Sequence, residues 1–401
     1  MEFLQRLVSK VKQKWGKTDR VVKRKTASEH MAVILEFVHK VAFPLGLELT
    51  NEWKFSLRTA FNVFMKWFVW FLIVYTIYLD FPSLEDVVVL GGTTVHTIHT
   101  VKFIIFILNH KKFMSLLDFI LKVYEVNVTG NREWILANSG KRIFYHFNCV
   151  MVGTMAGAGL YSFWPCYDFL VNGNLTTVSP LVIPFVNDEQ LRGYLIATAL
   201  NIGLAVFHVF GTYAMNCLFI VYVDVYDELV SLIEDDFKMF DAMSEMKVND
   251  SKRQLAFRNI IRELMDLARY NAYMNELFTD VASVECVCCF IGTAACLFGY
   301  LAVNFTNGIG ALAYFATELF MVCYIGQLVD NTTCRTVNVI NNSKWYIYDV
   351  KYQKDMLLVL DIVGRVKPIL IMKLHPLNLE TCLLIIKNIF SLTMFMLHFL
   401  E

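Results

Sequence analysis

The sequence predicts an all-α membrane protein with seven transmembrane helices, a cytosolic N-terminus and an extracellular C-terminus. Three observations support this fold class: the composition, the grouping of apolar residues into long blocks, and the alternation of basic and non-basic connections. Of the 401 residues, 56% are hydrophobic and 18% are charged, whereas soluble chains carry about 25% charged residues. The formal net charge is zero, so the chain has no global bias toward nucleic acid.

Seven apolar blocks reach the roughly 20 residues that a helix needs to cross the hydrocarbon core. They are Ala60–Leu79, Val87–Leu108, Ile143–Val171, Tyr194–Val223, Phe278–Val303, Ile309–Val329 and Leu377–Leu400. An eighth block, Met31–Leu47, is shorter and contains Glu36, Lys40 and Pro44. Charges and a proline in so short a block predict an interfacial or re-entrant segment instead of a span.

The connections indicate the orientation, because cytosolic loops of membrane proteins are enriched in lysine and arginine. Residues 10–25 are strongly basic, and so are the connections after the second, fourth and sixth spans. The connections after the first and fifth spans contain neither lysine nor arginine, and neither does the loop Asn172–Leu191 after the third span. We therefore expect the N-terminus inside and the C-terminus outside. Asn174 and Asn304 begin Asn-x-Thr sequons in two outer connections, so both are predicted glycosylation sites.

The fourth and fifth spans are predicted to continue into the cytosol as amphipathic helices. Apolar residues keep a helical spacing after Val223, from Leu229 to Phe240, and again before the fifth span, from Leu255 to Leu267. A third amphipathic helix is predicted at Met356–Ile371. Two interpretations stay open: a solvated bundle that supports the membrane part, or a subunit-assembly domain whose apolar stripes need a partner.

These segments divide the chain into five parts. The predicted parts are a cytosolic N-terminus with the interfacial segment (1–52), spans one to four with the ligand-binding region (53–223), the cytosolic anchor arms (224–277), spans five and six (278–335), and a cytosolic helix followed by span seven (336–401).

Motifs for catalysis and for cofactors are missing from the sequence. It contains no GxGxxG or P-loop motif. His96 and His99 have the spacing of metal ligands, but no third ligand accompanies them. We therefore expect no enzyme activity, no cofactor and no metal. A seven-helix G-protein-coupled receptor is a weaker candidate, because its orientation is opposite and its Asp-Arg-Tyr and Asn-Pro-x-x-Tyr motifs are missing here. A transporter is weaker still, because no repeated halves are visible.

The C-terminal third resembles the insect odorant receptor family. The resemblance rests on Cys323–Leu328, Asn341–Tyr346, Lys354–Leu360, the Lys367-Pro368 pair, and Phe390–Leu392 in the final helix. Over the rest of the chain it rests on topology, length and loop sizes. The sequence departs from the family pattern at Ser391–Leu397, where a Ser-Tyr-Phe-like run reads Ser-Leu-Thr-Met-Phe. Gustatory receptors share the architecture and are the second candidate within this class.

The resemblance implies a subunit of a ligand-gated, non-selective cation channel in the plasma membrane of sensory-neuron dendrites. Family members assemble as tetramers, and tuning subunits combine with a shared co-receptor that has a longer loop after the fourth span. The corresponding connection here, Ala242–Asn249, is short, so we expect a ligand-tuning subunit, of the dipteran type. The expected partners are a volatile odorant, the co-receptor, membrane lipid and cations, and not nucleic acid.

The resemblance also places the odorant in the outer half of the bilayer, among the second, third, fourth and sixth spans. An apolar pocket with a few polar groups suits a volatile ligand. The candidate residues on these spans are His96, His99, Thr154, Gly157, Tyr161, Trp164, His208, Thr212, Tyr314 and Glu318. The alternative for the third span is close helix packing, because Gly153, Ala156 and Gly157 also suit small-residue contacts between helices.

The resemblance further implies that the last helix of each subunit lines the pore. Asn388, Ser391 and Thr393 are the candidate polar lining. Ile389, Leu392, Met396 and Leu400 are spaced to form an apolar constriction that closes the pore by dewetting. A lipid-facing helix is the alternative, because no charge occurs between Asn388 and Leu400.

The predicted orientation can be tested by epitope labelling. An epitope after Glu401 should be detected on intact cells, and an epitope before Met1 only after permeabilisation, because basic connections stay in the cytosol. The reverse pattern would contradict the orientation and the channel arrangement together.

Overall fold

The chain folds into a nearly all-helical structure, seen here in a computed structural model. The structure describes residues 26–49, 53–80, 85–127, 130–175, 181–187, 190–303, 305 and 308–399. The basic residues 10–25 lie outside the described residues, and so do Asn304 and Leu400.

Ten α-helices follow one another along the described chain. They are α1 (Ala27–Ala42), α2 (Leu57–Asp80), α3 (Glu85–Leu108), α4 (His110–Val126), α5 (Gly130–Asn172), α6 (Leu191–Glu245), α7 (Asp250–Val303), α8 (Gly308–Asn342), α9 (Val350–Val363) and α10 (Leu379–His398). Short 3-10 helices occupy Phe43–Leu45 and Trp345–Ile347, and two strands, β1 (Leu370–Ile371) and β2 (His375–Pro376), form an antiparallel hairpin.

The seven predicted spans are confirmed as helices. In the described part of the chain, α2, α3, α5, α6, α7, α8 and α10 are long and apolar enough to cross a membrane. Helix α6 has 55 residues and α7 has 54. At 1.5 Å per residue each is about 80 Å long, far more than the roughly 30 Å of the hydrocarbon core. Both therefore continue beyond the spans as arms, residues 224–245 and 250–277.

The apolar block at Met31–Leu47 folds as α1 and a 3-10 turn. Thr26 and Glu29 form a capping box at the start of α1: the Thr26 hydroxyl accepts from the Glu29 amide, and the Glu29 carboxylate accepts from the Thr26 amide. The apolar side of α1, including Ile34 and Val38, is buried, and the helix packs on α5 and α6.

Helix α4 was not predicted, and its buried face, which includes Phe113 and Ile120, joins the same core.

The prediction of a helix over Met356–Ile371 is wrong. Helix α9 covers Val350–Val363 and ends at Gly364. A helix cannot run through this stretch, because Pro368 lacks an amide hydrogen and disfavours helical backbone at the residue before it. The chain instead forms the β1–β2 hairpin, in which Met372 and Lys373 adopt positive φ angles of 49° and 61°. The Met372 amide donates to Ser283 Oγ at 2.7 Å, which anchors the hairpin to α7.

Helix α6 lies at the centre of the molecule, and 78% of its most apolar stretch is buried. Two tyrosines connect it to neighbouring helices through backbone carbonyls. The Tyr222 hydroxyl donates to the Phe113 carbonyl at 2.9 Å, and the Tyr270 hydroxyl of α7 donates to the Tyr222 carbonyl at 2.8 Å. Stacking of Phe219 on Phe278, with centroids 3.8 Å apart, also holds α6 against α7.

Midway along the arms, one arginine binds two carboxylates. Arg132 of α5 donates to Asp236 of α6 at 2.8 Å and to Glu263 of α7 at 2.7 Å. Burial, together with the nearby Asp236 charge, raises the pKa of Glu263 to about 7 and outweighs the attraction of Arg132. Burial raises the pKa of Asp236 as well. Glu263 therefore holds a proton in the folded arm up to near-neutral pH.

This cluster should make the arms less stable as the pH rises. A carboxyl group whose pKa is higher in the folded chain binds more protons there than in the unfolded chain. Its contribution to stability is fully present below the pKa that the group has in the unfolded chain. This contribution is lost as the pH rises through about 7. Glu263→Gln, which resembles the protonated acid, should flatten the fall of the melting temperature between about pH 5 and pH 7.5.

The matched control is Glu125→Gln, which changes an exposed carboxylate of α4 and should leave the pH dependence of the wild type. An unchanged slope in Glu263→Gln would contradict the assignment of the protonated acid to this cluster.

Candidate functional site

A mostly apolar cavity lies between the helices at the ends of the spans away from the arms. Its volume is ≈ 130 Å³, about ten times the room that one water molecule needs. Helices α2, α3, α5, α6, α7 and α8 all contribute to its wall. The lining residues are Val69, Ile73, Val89, Gly91, Gly92, Val95, His96, Ala158, Tyr161, Leu181, Asn201, Leu204, Ala205, His208, Val209, Cys296, Phe305, Ala311, Tyr314 and Phe315.

Two glycines bring α5 and α8 together beside the cavity. A Cβ atom at Gly157 would lie 2.8 Å from the Cα of Tyr314, and one at Gly310 would lie 2.3 Å from the Cα of Tyr161. Each glycine therefore leaves room for the backbone of a cavity-lining tyrosine on the other helix. Small residues allow this close approach of membrane helices. Gly157 serves helix packing here and does not line the cavity.

Two histidines form the polar end of the cavity. His96 Nε2 lies 3.1 Å from the Lys66 carbonyl oxygen, and His96 Nδ1 lies 2.7 Å from His208 Nε2. Because a carbonyl oxygen only accepts, His96 Nε2 is the donor to Lys66, and Nδ1 of a neutral His96 accepts from His208 Nε2. Both nitrogens of His96 are therefore occupied by bonds within the protein, and its orientation is fixed.

Next to these histidines, away from the cavity, Lys66 is buried without a carboxylate partner among the described residues. Its ammonium group lies 3.1 Å from His99 Nδ1 and 5.0 Å from the centre of the Phe103 ring. A cation over an aromatic face is stabilised by the ring quadrupole. The His99 ring fills the space beside Gly211, where a Cβ atom would lie 1.8 Å from its Nε2. His99 therefore supports Lys66 and does not line the cavity.

One turn further from the cavity, four helices share a second buried polar cluster. Lys102 of α3 donates to Glu285 of α7 at 2.7 Å and to Asn216 Oδ1 of α6 at 2.8 Å. Asn216 Nδ2 in turn donates to Glu318 of α8 at 3.2 Å. The Lys102 and Glu285 side chains are 2% and 4% exposed. Ionisable groups at membrane depth are costly unless they are paired, so this cluster holds the four helices in register.

The 7tm odorant receptor family matches residues 84–390, which is most of the chain. The chain belongs to the 7tm odorant receptor family. It is therefore a multi-pass membrane protein with the seven-helix fold of odorant receptors.

Solved structures show the same fold. The insect olfactory receptor OR5 from Machilis hrabei matches with a TM-score of 0.71 at 12% sequence identity, and the match covers 92% of this chain and 99% of that receptor. The structure of OR5 in complex with eugenol gives the same values. These comparisons confirm the seven-helix fold and the family predicted from the C-terminal third.

Of the ten ligand candidates on this odorant receptor, His96, Tyr161, His208 and Tyr314 line the cavity. Glu318 belongs to the Lys102 cluster instead. Thr154 is buried and donates to the Val150 carbonyl of its own helix at 2.9 Å. Thr212 is buried but is not among the residues that line the cavity. The side chain of Trp164 lies outside the described residues.

The sequence reasoning missed the contribution of the first and fifth spans to the cavity wall, through Val69, Ile73 and Cys296. It also missed Lys66 and Lys102, which hold the two polar clusters. The signal was present, because a lysine within an apolar span is a rare residue that needs a partner.

The final helix presents most of its apolar surface outward. Asn388 and Ser391 are exposed, while Leu392 and Met396 are half-buried. Ile389 and Thr393 are 3% and 1% exposed and face the helices of their own chain. These two residues are therefore not on the surface that a central pore could use.

The sequon residue Asn174 is exposed, and its amide donates to Asp168 at 3.2 Å.

The glycine contact between α5 and α8 gives a direct test of the site. Gly157→Ala should lower thermal stability by about 1–3 kcal/mol, the usual cost of overpacking, because its methyl group meets the Tyr314 backbone. Gly159→Ala is the matched control on the same helix, where nothing lies within 4 Å of an added Cβ. The control should be neutral or stabilising. Equal melting temperatures for both variants in detergent would contradict the packing described here.

Proposed function

We propose that this odorant receptor is a ligand-tuning subunit of a ligand-gated, non-selective cation channel, and that the cavity binds the odorant. The observation that carries the proposal is the apolar cavity with a polar histidine end inside the helix bundle. Small-molecule sites are concave, mostly apolar and equipped with a few placed polar groups. A protein of the same fold, OR5 from Machilis hrabei, has been solved in complex with eugenol, which supports a small organic ligand.

Helix α8 is the proposed connection between the cavity and the pore. It supplies Ala311, Tyr314 and Phe315 to the cavity wall, and further along it contacts the start of α10. The Leu379 amide donates to Gln327 Oε1 at 3.2 Å. A Cβ atom at Gly326 would lie 2.3 Å from the Leu377 carbonyl oxygen. A shift of α8 on ligand binding would therefore move α10, because packed interfaces transmit small displacements.

The proposed pore surface of α10 includes Asn388, Ser391, Leu392 and Met396, together with Leu400. Ile389 and Thr393 are left out because they pack inside the subunit. The outward apolar face of α10 needs either lipid or neighbouring subunits around it. We infer that a shared co-receptor supplies those neighbours in a hetero-oligomer of the plasma membrane, with the N-terminus in the cytosol and Asn174 and Asn304 outside. The connection Met246–Asn249 between α6 and α7 is short, as proposed for a tuning subunit.

Current recordings test this proposal. Co-expression with the co-receptor should give odorant-evoked, non-selective cation current, and this chain alone should give little. Tyr161→Ala should change which odorants evoke current while surface expression stays near normal, because removing the ring enlarges the cavity. A change of one or two carbons in a pocket contact is already worth about 1–3 kcal/mol.

Tyr145→Ala is the matched control, since Tyr145 is an exposed tyrosine of the same helix α5 and does not line the cavity. It should keep the odorant profile of the wild type. Loss of response to every odorant in proportion to lost surface protein would contradict the cavity as the binding site. Strong current from this chain alone would contradict its role as a tuning subunit.

A further inference from the structure

The Lys102 cluster contains one positive charge and two carboxyl groups. Lys102 donates to Glu285 at 2.7 Å, and its other bond goes to the uncharged Asn216 at 2.8 Å. Glu318 is fully buried and has no such cation. Within the described part of the chain, its Oε2 accepts from Asn216 Nδ2 at 3.2 Å, and nothing donates to its Oε1. If both carboxyl groups were ionised, one negative charge would stay unbalanced at membrane depth, which is costly.

The two carboxyl groups also face each other. Glu318 and Glu285 lie within hydrogen-bonding reach. Ionised carboxylates only accept hydrogen bonds, so this contact is repulsive unless one of the two carries a proton. The proton belongs on Glu318, because Glu285 is the direct partner of the Lys102 ammonium group. The other ionisable neighbours of Glu318, Tyr314 of α8 and Cys289 of α7, supply no positive charge that could balance it.

We propose that Glu318 is a neutral acid that donates a hydrogen bond to Glu285, and that this bond is a releasable joint between α8 and α7. The cluster then has no net charge. The ion pair of Lys102 and Glu285 ties α3 firmly to α7, because separating it would leave two buried charges unpaired. Helix α8 joins the cluster through an uncharged group, so it can shift without leaving a charge unpaired. The part of this inference that concerns movement rests on the proposed function, in which α8 connects the cavity to the pore.

Two matched substitutions distinguish the carboxyl groups, with melting temperatures measured on the full-length chain in lipid nanodiscs. Glu318→Gln places an amide that still donates to Glu285, so the melting temperature should change by less than about 2 °C. Glu285→Gln removes the direct counter-charge of Lys102 and should lower the melting temperature by about 5 °C or more. Adding Lys102→Met to Glu285→Gln removes both charges of the ion pair. It should recover most of the loss, because a neutral Glu318 needs no cation.

Infrared spectroscopy detects the proton directly. A protonated carboxyl group has a carbonyl stretch above the amide bands, and an ionised carboxylate does not. Glu318→Gln should therefore remove one band from this region of the spectrum. Glu276→Gln is the matched control, because it changes a half-exposed carboxylate of α7 that pairs with Lys112. The control should leave the same region unchanged.

Three results would overturn the protonation of Glu318. They are an unchanged carboxyl region in Glu318→Gln, a larger loss of stability in Glu318→Gln than in Glu285→Gln, and no recovery of stability when Lys102→Met is added.

Current recordings with the co-receptor test the joint separately. Glu318→Leu removes the hydrogen bond to Glu285, so half-maximal current should need a roughly fivefold lower odorant concentration than in the wild type. An unchanged concentration at normal surface expression would refute the joint and keep the proposed function. No odorant-evoked current from the wild type would refute the proposed function, while the infrared and melting results would still decide the state of Glu318.

Discussion

The pairing of buried polar groups within the helix bundle is the constraint on which the rest of this structure depends. A bilayer offers no water to a charge or a hydrogen-bond donor at its centre, so each such group needs a protein partner. Lys102 bonds to groups on two other helices, and Lys66 lies against a histidine and an aromatic ring. Moving one of these helices would separate partners on several others. The spans therefore hold a fixed register, which a cavity of defined shape requires.

The polar clusters also divide the bundle into layers. Along α3, α6 and α8 the order is the same: first the cavity, then the His99 and Thr212 level, then the Lys102 cluster, and last the arms. Apolar walls lie in the first layer, Lys66 and His99 lie in the second, and ion pairs between helices lie in the Lys102 cluster and in the arms. A ligand bound in the first layer would contact α8, and the same helix contacts the start of α10 through Gln327. The proposed path from odorant to pore follows from this arrangement.

Much of the fold could be predicted from the sequence, because membrane spans depend on length and hydropathy. The continuation of α6 and α7 into arms was also predictable from the helical spacing of residues such as Leu232 and Phe237. The prediction of a helix over Met356–Ile371 was wrong. The apolar spacing continues past Gly364, but Pro368 prevents a helix from continuing there. Helix α4 was not predicted, because it lies in a connection whose lysines indicate the orientation but not a helix.

The site was less predictable, since periodicity shows which residues share a helix face but not which way that face turns. Four of ten ligand candidates line the cavity, while Glu318 faces the Lys102 cluster. The contribution of Val69, Ile73 and Cys296 to the cavity wall depends on contacts between helices distant in sequence, so spacing alone could not have identified it.

The most direct test of the central claim is an experimental structure of the full-length chain with an activating odorant bound, determined by electron cryomicroscopy. The account predicts ligand density in the cavity between α3, α5, α6 and α8, in contact with Tyr161 and His208. Ligand density elsewhere, with this cavity empty, would contradict it.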